Sequence, residues 1–219
     1  AVLDAAITDR RAAANATDRA AWEAASVVDS EPWTGPGIHP GRVIATIRTI
    51  LPDDAILTTD AGNFAGWAAR GFRFRRPGTF LGSTSGAMGY GLPAAIAAGL
   101  VHRDRATVAL VGDGGMGTSL AEVETAVRNG LRTIVLVFDN ERYGMIRSWQ
   151  DRRDGGTDVG TDLGPIDFAA AARALGARGA RVDDDSGFET ALRQALVSDR
   201  PTVIHLVLDR RWQGVDSHP

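Results

Sequence analysis

The sequence contains neither cysteine nor lysine, and each absence excludes a class of chemistry. None of its 219 residues is cysteine, and all 24 of its basic residues are arginine. Without cysteine the chain cannot form a disulfide, a thiolate metal site or a cysteine nucleophile. Without lysine it lacks both the phosphate-binding lysine of a P-loop and the amine that a Schiff-base enzyme requires. Thiol and amine nucleophiles are therefore excluded from any mechanism.

Long apolar runs and a strong net charge are also missing. No run approaches the roughly 20 residues of a membrane span, and the alanine-rich start lacks the apolar core of a signal peptide. We therefore predict a cytoplasmic protein without a membrane partner. The formal net charge of −3 gives no general attraction to nucleic acid. The locally basic, aromatic segment 70–76 is interpreted as a solvated or subunit-facing loop.

The composition predicts one folded domain with two flanking segments. A hydrophobic content of 44% over 219 residues is enough for one substantial core. Residues 1–36 are interpreted as a linker and helical lead-in from an absent upstream domain, with one helix near 18–27 and a Pro- and Gly-rich break at 31–37. Residues 37–209 form the predicted domain, and 210–219 the C-terminal tail.

Helical and extended apolar patterns alternate along the predicted domain. We predict strands at 55–59, 107–111, 133–138, 180–182 and 202–208, and helices at 41–51, 63–70, 91–100, 119–129, 168–175 and 187–197. Ser119 and Glu122 have capping-box spacing for the fourth of these helices, and Gly130 stops it. Several strands are apolar throughout, which indicates a three-layer, doubly wound α/β fold with a parallel sheet and helices on both faces. Ligands of such sheets bind beyond the carboxyl ends of the strands, where Asp60, Asp113 and Asn140 lie.

A glycine-rich turn follows the strand at 107–111. Its sequence is Gly112-Asp113-Gly114-Gly115, and Asn140 ends the strand at 133–138. Glycines let backbone N–H groups approach phosphate oxygens, while Asp113 and Asn140 offer hard oxygen ligands from neighbouring strand ends. The pattern predicts Mg²⁺ together with a diphosphate cofactor. The alternative is a set of ordinary turn residues, because Gly, Asp and Asn are common in loops after strands.

Three motifs together resemble a known family. Gly112-Asp113-Gly114 followed by Asp139-Asn140 resembles the signature of thiamine diphosphate enzymes, which usually ends in a pair of asparagines; Asp139 stands at the first of these positions. The segments Gly-Ala-Met-Gly-Tyr-Gly-Leu-Pro-Ala-Ala at 86–95 and Tyr-Gly-Met-Ile-Arg-Ser-Trp-Gln at 143–150 resemble the acetolactate synthase branch. The resemblance covers roughly 40–208. It implies thiamine diphosphate and Mg²⁺ as cofactors, with FAD possible only through an absent domain.

The resemblance also implies roles for individual residues. Asp113, Asn140 and the backbone carbonyl of Arg142 would be the metal ligands. The Gly86 carbonyl would accept a hydrogen bond from the 4′-amino group of the cofactor, and Met88 would lie beneath the ring junction and hold the cofactor bent. For Met88 the alternative is plain core packing. Further cofactor contacts implied are Gly112, Gly114, Gly115, Tyr143, Gly144 and Met145.

A helix starting near Tyr143 would place Met145 and Trp149 on one face, because they lie four residues apart. In the synthases that the chain resembles, this face borders the substrate pocket. The alternative is a buried apolar stripe.

The function implied by the resemblance is decarboxylation and carboligation of small 2-oxo acids. A simple 2-oxo acid decarboxylase, a glyoxylate carboligase and a catalytically silent cofactor-binding or assembly module are alternatives. In the family the activating glutamate belongs to a separate pyrimidine-binding domain of a partner subunit. Because that domain is absent here, we predict that this chain alone is inactive and works in a homodimer or tetramer.

Overall fold

The computed structural model describes residues 2–29, 33–153 and 158–217. Within them lie the strands β1 Ile56–Thr59, β2 Phe80–Gly82, β3 Thr107–Gly112, β4 Ile134–Asp139, β5 Arg178–Val182 and β6 Thr202–Val207. They form one sheet in the order β2-β1-β3-β4-β6-β5, and every neighbouring pair is parallel. The direction in which strands are added to the sheet reverses between β1 and β3, which lie side by side as the second and third strands from the β2 edge. This reversal is the arrangement that opens a ligand crevice at the carboxyl edge.

Helices cover both faces of this sheet, as predicted. They are α1 Val2–Ala25, α2 Pro40–Ile50, α3 Ala65–Gly71, α4 Gly91–Val101, α5 Asp113–Ser119, α6 Glu122–Arg128, α7 Gly144–Arg153, α8 Phe168–Ala174 and α9 Asp185–Leu196. Helices α2, α3 and α9 bury their apolar residues in one core, and α4, α5, α6 and α8 in the other. Alternate strand residues serve the two cores: Leu110 faces the first and Val111 the second. The three-layer, doubly wound α/β prediction is confirmed.

The glycine-rich segment is a helix where a turn was predicted. Helix α5 begins directly at Asp113, and its Met116 is completely buried, so tertiary packing overrides the low helix propensity of the glycines. Ser119 ends α5, and its hydroxyl donates to the Gly115 carbonyl 3.2 Å away. The predicted capping box at Ser119 is therefore wrong, and α6 begins at Glu122 without a side-chain cap. Gly130 does end that helix, in a left-handed conformation with φ of 59°.

Two further elements differ from the prediction. Helix α1 spans 24 residues, far beyond the predicted 18–27, because alanine and arginine favour helix without any apolar periodicity. The edge strand β2 was not predicted, since three residues with exposed Phe80 and Leu81 carry no strand pattern. Along the described parts of the chain, no helix is both long and apolar enough to cross a membrane.

Parts of the predicted lead-in and tail contact the domain. Trp33 and Trp212 lie with their ring centroids 5.0 Å apart, and the Trp212 ring is buried against His39 and Trp67. Residues 30–32, and with them part of the predicted break at 31–37, lie outside the described residues, as do 154–157 and 218–219.

Candidate functional site

A cavity of about 430 Å³ opens at the carboxyl ends of β1, β3 and β4. The turn before α4, the beginning of α7 and the segment after β6 complete its walls. Among the predicted site residues, those that line the cavity are Gly86, Met88, Gly112, Asp113, Gly114, Gly115, Asn140, Arg142, Tyr143, Gly144 and Met145. Trp149 is not among the lining residues. The predicted residues therefore converge on one place, although they come from three separate segments, 86–88, 112–115 and 140–145.

Asp113 lies in the buried corner of the cavity. Its Oδ1 accepts from the Gly114 amide at 2.7 Å, and its Oδ2 accepts from the Arg142 amide at 3.0 Å. Burial, followed by the neighbouring charge of Asp139, raises the pKa of Asp113 to about 7. A carboxylate in this position would gain from a cation placed beside it.

Asp139 and His205 form a second polar layer behind Asp113. His205 is completely buried, and its Nε2 lies 2.6 Å from Asp139 Oδ2. Burial alone would raise the pKa of Asp139, but hydrogen bonds from His205 and from the Glu141 amide outweigh it and lower the pKa below its usual value. Asp139 therefore ionises at lower pH than Asp113, and the Asp113 carboxyl keeps its proton to higher pH.

Asn140 is oriented by the segment after β6. Its Nδ2 donates to the Trp212 carbonyl at 2.7 Å, and the residue is buried. With the amide nitrogen held in this way, the carboxamide oxygen is the atom that Asn140 can offer to a ligand. A backbone group in the predicted tail thus determines how a predicted metal ligand points.

Arg142 reaches Asp113 through an unusual turn. Glu141 has a positive φ of 55°, which is uncommon for a residue other than glycine, and its amide donates to Asp139 Oδ1 at 2.9 Å. The turn directs the Arg142 amide toward Asp113, while the Arg142 carbonyl accepts from the Gly144 amide at 2.9 Å. Asp113, Asn140 and the Arg142 carbonyl thus belong to one compact corner.

Close packing explains two of the glycines in this corner. A Cβ atom on Gly114 would lie 2.4 Å from the Tyr143 ring and 3.2 Å from the Met88 methyl group. A Cβ atom on Gly112 would lie 3.0 Å from the ring of Phe64. Both positions therefore bring a bare backbone against the side chains that line the cavity, as the glycine-rich motif predicts.

The mouth of the cavity is apolar and exposed. Met88 is 44% exposed and Met145 is 41% exposed, so the core-packing alternative for Met88 does not hold. Helix α7 buries none of its residues, so Met145 and Trp149 are not part of a buried stripe within this chain. The Trp149 ring is exposed and lies under the Arg152 guanidinium at 4.8 Å.

Several lining residues were not predicted from the sequence. They are Asn63, Phe64, Trp67, Phe138, Trp212, Gln213 and Gly214. The Gly62-Asn63 pair after β1 carries the same strand-end signal as the motif after β3 and could have been found by it. The aromatic residues look like ordinary core residues in the sequence, and the contact of the last segment with the cavity depends on the chain folding back.

Asp60 differs from the other two strand-end residues, Asp113 and Asn140, because it does not line the cavity, although the sequence suggested that one crevice could collect all three. Among the described residues, no cluster of three His, Asp or Glu side chains suits a metal ion. A ligand set of one carboxylate, one carboxamide and one backbone carbonyl would not form such a cluster.

The chain is similar in sequence to a known enzyme family. The family model described as "Thiamine pyrophosphate enzyme, C-terminal TPP binding domain" matches residues 60–206. The catabolic acetolactate synthase of Raoultella terrigena is 34% identical over 175 residues, which cover 80% of this chain and 31% of that protein.

Solved structures show the same similarity. The thiamine diphosphate-dependent 4-hydroxybenzoylformate decarboxylase of Rhodococcus jostii has a TM-score of 0.78 and 29% identity, over 83% of this chain and 34% of that chain. The benzoylformate decarboxylase of Polynucleobacter necessarius has a TM-score of 0.79 and 28% identity, over 84% of this chain and 36% of that chain. The chain spans about a third of the length of each of these proteins.

Proposed function

The chain belongs to the thiamine pyrophosphate enzymes, because it matches their C-terminal domain, which binds thiamine pyrophosphate (TPP). This cofactor is also called thiamine diphosphate, and we propose that the cavity binds it through Mg²⁺. The proposed metal ligands are the Asp113 carboxylate, the Asn140 carboxamide oxygen and the Arg142 carbonyl. Carboxylate, amide and carbonyl oxygens are the ligands that hard divalent cations prefer.

One observation carries this proposal: the Arg142 amide donates a hydrogen bond to Asp113 Oδ2 at 3.0 Å. This bond joins the segment that follows β4 to the glycine-rich motif that follows β3. Asp113 is buried with a raised pKa, so a divalent cation would relieve the cost of its charge. The glycine backbone beside it leaves space where side chains would collide with Tyr143. The donor set and the cavity therefore fit a metal-bound diphosphate.

The reaction we propose is acetolactate synthase-like decarboxylation and carboligation of 2-oxo acids. When bound, the cofactor would supply the reactive carbon and the electron sink that such decarboxylation requires. Asp113 and Asn140 would hold the metal, and Gly86 and Met88 would fix the ring geometry. Tyr143, Gly144 and Met145 would enclose the cofactor, with Met145 bordering the substrate and Trp149 lying farther out on the same helix.

We propose that the rest of the machinery comes from another polypeptide segment. The chain covers about a third of the length of its relatives, and no glutamate is among the described residues that line the cavity. An activating glutamate on a pyrimidine-binding domain, in a homodimer or tetramer, would complete the site, and this chain alone would be inactive. The cytoplasmic location stays a prediction of the sequence.

Calorimetric titration with thiamine diphosphate tests the cofactor proposal. We expect saturable binding that needs Mg²⁺ and is lost in Asp113→Ala and Asn140→Ala, because each variant removes a ligand atom. Asp199→Ala, which removes an exposed acid paired with Arg178, is the matched control and should bind normally. Equal affinity in all four proteins would refute the metal site.

Product analysis then separates the alternative reactions. The chain is combined with a glutamate-bearing pyrimidine domain and supplied with pyruvate. From pyruvate, a carboligase yields acetoin precursors, whereas a simple decarboxylase yields free aldehyde. A second assay with glyoxylate as the substrate tests the glyoxylate carboligase alternative. Cofactor binding without any turnover would favour the silent assembly module.

A further inference from the structure

The buried carboxylate of Asp60 lies outside the cavity, between two segments that line it. Asp60 follows β1 and is 2% exposed. Its Oδ2 accepts from the Gly89 amide at 2.9 Å, and its Oδ1 accepts from the amides of Ala61 at 2.7 Å and Tyr90 at 3.3 Å. A buried carboxylate is retained in a fold only when such bonds compensate its lost hydration. Two of these bonds hold the turn that precedes α4.

That turn has few other attachments. Residues 84–88 are exposed, so burial does not fix their position. Gly86 and Gly89 have positive φ values of 66° and 81°, which glycine adopts easily and which leave the turn dependent on its hydrogen bonds. The Ala87 amide donates to the Ser83 hydroxyl within the same turn, and this bond does not anchor it to the domain. Asp60 is therefore the main polar anchor of Met88, which is one residue from Gly89.

On its other side Asp60 contacts the metal-site helix. A Cβ atom on Gly115 would lie 2.5 Å from Asp60 Oδ2, so α5 approaches the carboxylate as closely as a bare backbone allows. Asp113 is two residues earlier in that helix. The Met88 methyl group lies 3.2 Å from the position that a Cβ atom on Gly114 would occupy. One carboxylate thus sits between the turn that carries Gly86 and Met88 and the helix that carries Asp113.

We propose that Asp60 is a positioning residue that sets the separation between the ring-contacting turn and the diphosphate-binding corner. The inference rests on the proposed function, in which these two segments hold opposite ends of one cofactor. A cofactor that must bind at both ends loses affinity when the separation relaxes, whereas a ligand that occupies the metal corner alone does not. A residue that merely stabilised the fold would affect both ligands alike.

The first test needs no cofactor. Amide hydrogen exchange is followed in the 219-residue chain and in Asp60→Ala, Asp60→Asn and Thr58→Val. The last variant is the matched control, because it removes a buried bond to the Gly91 carbonyl at the same helix start. We expect Asp60→Ala to lose protection at Gly89 and Tyr90, Asp60→Asn to retain part of it, and Thr58→Val to retain it. Unchanged protection in Asp60→Ala would overturn the proposal.

The second test compares two probes by calorimetry, Mg²⁺ with inorganic pyrophosphate and Mg²⁺ with thiamine diphosphate. In Asp60→Ala we expect affinity for thiamine diphosphate to fall about tenfold and affinity for pyrophosphate to change less than about twofold. Equal losses for both probes would overturn the positioning role. If the unsubstituted chain binds neither probe, the proposed function fails, and the exchange result alone decides whether Asp60 anchors the turn.

Discussion

His205 Nε2 lies 2.6 Å from Asp139 Oδ2, directly behind the corner that contains Asp113. The motif of the family usually has asparagine where Asp139 stands, so this chain places an additional carboxylate in a buried position. A buried carboxylate needs a hydrogen-bond donor, and His205 on the neighbouring strand β6 supplies one. His205 pairs with Val137 in the sheet, and Val137 shares a face with Asp139 because the two are two residues apart on β4. Asp139 and His205 are therefore best understood as one unit.

A double-mutant cycle tests this coupling. We expect His205→Ala to destabilise the chain by about 3 kcal/mol, because it leaves Oδ2 of the buried Asp139 carboxylate without its donor, while the Glu141 amide still donates to Oδ1. Asp139→Asn should cost less than about 1.5 kcal/mol, since a neutral amide needs less compensation. His205→Ala should destabilise the Asp139→Asn protein clearly less than it destabilises the unsubstituted chain. Urea denaturation of the four proteins measures the cycle, and strictly additive costs would argue against a coupled pair.

The raised pKa of Asp113 predicts that this metal-binding residue lowers the stability of the metal-free chain at alkaline pH. The pKa is about 7 in the folded chain against an ordinary 3.8, so the folded state holds the proton more tightly. This contribution is fully present below pH 3.8 and is lost as the pH rises through 7, which leaves a buried charge at pH 8. Asp113→Asn keeps the shape of the carboxyl group and removes that charge, but its amide nitrogen cannot accept from a backbone N–H, so only one of the two bonds from Gly114 and Arg142 is retained.

We therefore expect metal-free Asp113→Asn to be more stable than the unsubstituted chain at pH 8. The difference should shrink steadily between pH 7 and pH 4, and thermal denaturation across this range measures it. Mg²⁺ with thiamine diphosphate should stabilise only the unsubstituted chain, because the variant lacks the anionic ligand. A stability difference that does not vary with pH would contradict the assignment of the proton to Asp113.

The sequence predicted the layers of the fold better than the details of the glycine-rich segment. Strands β3, β4 and β6 are mostly apolar because both their faces are buried, and this is a local signal. Helix α5 was missed because its glycines disfavour a helix locally, and only the burial of Met116 against the sheet compensates. Helix propensity depends on the local sequence and does not indicate such packing.

The site residues that could be predicted are those whose own side chains can bind a ligand. Asp113 and Asn140 follow strand ends and carry oxygen ligands, so the motif identified them. The Trp212 carbonyl that orients Asn140 is a backbone group 72 residues away in sequence, and no side-chain pattern reports it. Asp60 shared the strand-end signal, but the direction of its side chain depends on the amides of the turn before α4.

Two glycines of helix α5 should respond in opposite ways to alanine. A Cβ atom on Gly115 would collide with Asp60, so we expect Gly115→Ala to destabilise the chain by about 1–3 kcal/mol. Apart from the adjoining helix backbone, no atom of the described residues lies within 4 Å of a Cβ position on Gly117, so Gly117→Ala should stabilise the chain by about 0.5–1 kcal/mol through helix propensity. Urea denaturation of both variants measures the contrast. Equal effects at the two positions would contradict the close contact with Asp60.

Met88 and Met116 provide a matched pair for separating function from packing. Met88 lines the cavity and is largely exposed, whereas Met116 is completely buried. Met88→Ala should change the free energy of unfolding by less than about 0.5 kcal/mol, and Met116→Ala should cost about 2–5 kcal/mol. In the assembled enzyme, Met88→Ala should lower turnover far more than cofactor affinity, because the diphosphate end supplies most of the binding. Parallel losses of affinity and turnover would contradict the role in ring geometry.

The last prediction concerns substrate choice at α7, where Met145 and Trp149 lie on the same side but differ in position. Met145 lines the cavity, whereas Trp149 is exposed beside Arg152. A side chain at the wall of a pocket can discriminate one methylene group by about 1–3 kcal/mol, and a side chain outside it cannot do so by contact. We therefore expect Met145→Ala to change the product ratio from competing pyruvate and 2-oxobutyrate in the assembled enzyme several-fold more than Trp149→Leu does. Both variants should fold normally, since α7 buries none of its residues. A larger change in Trp149→Leu would mean that assembly brings the indole into the pocket, and equal ratios in all three proteins would remove α7 from substrate selection.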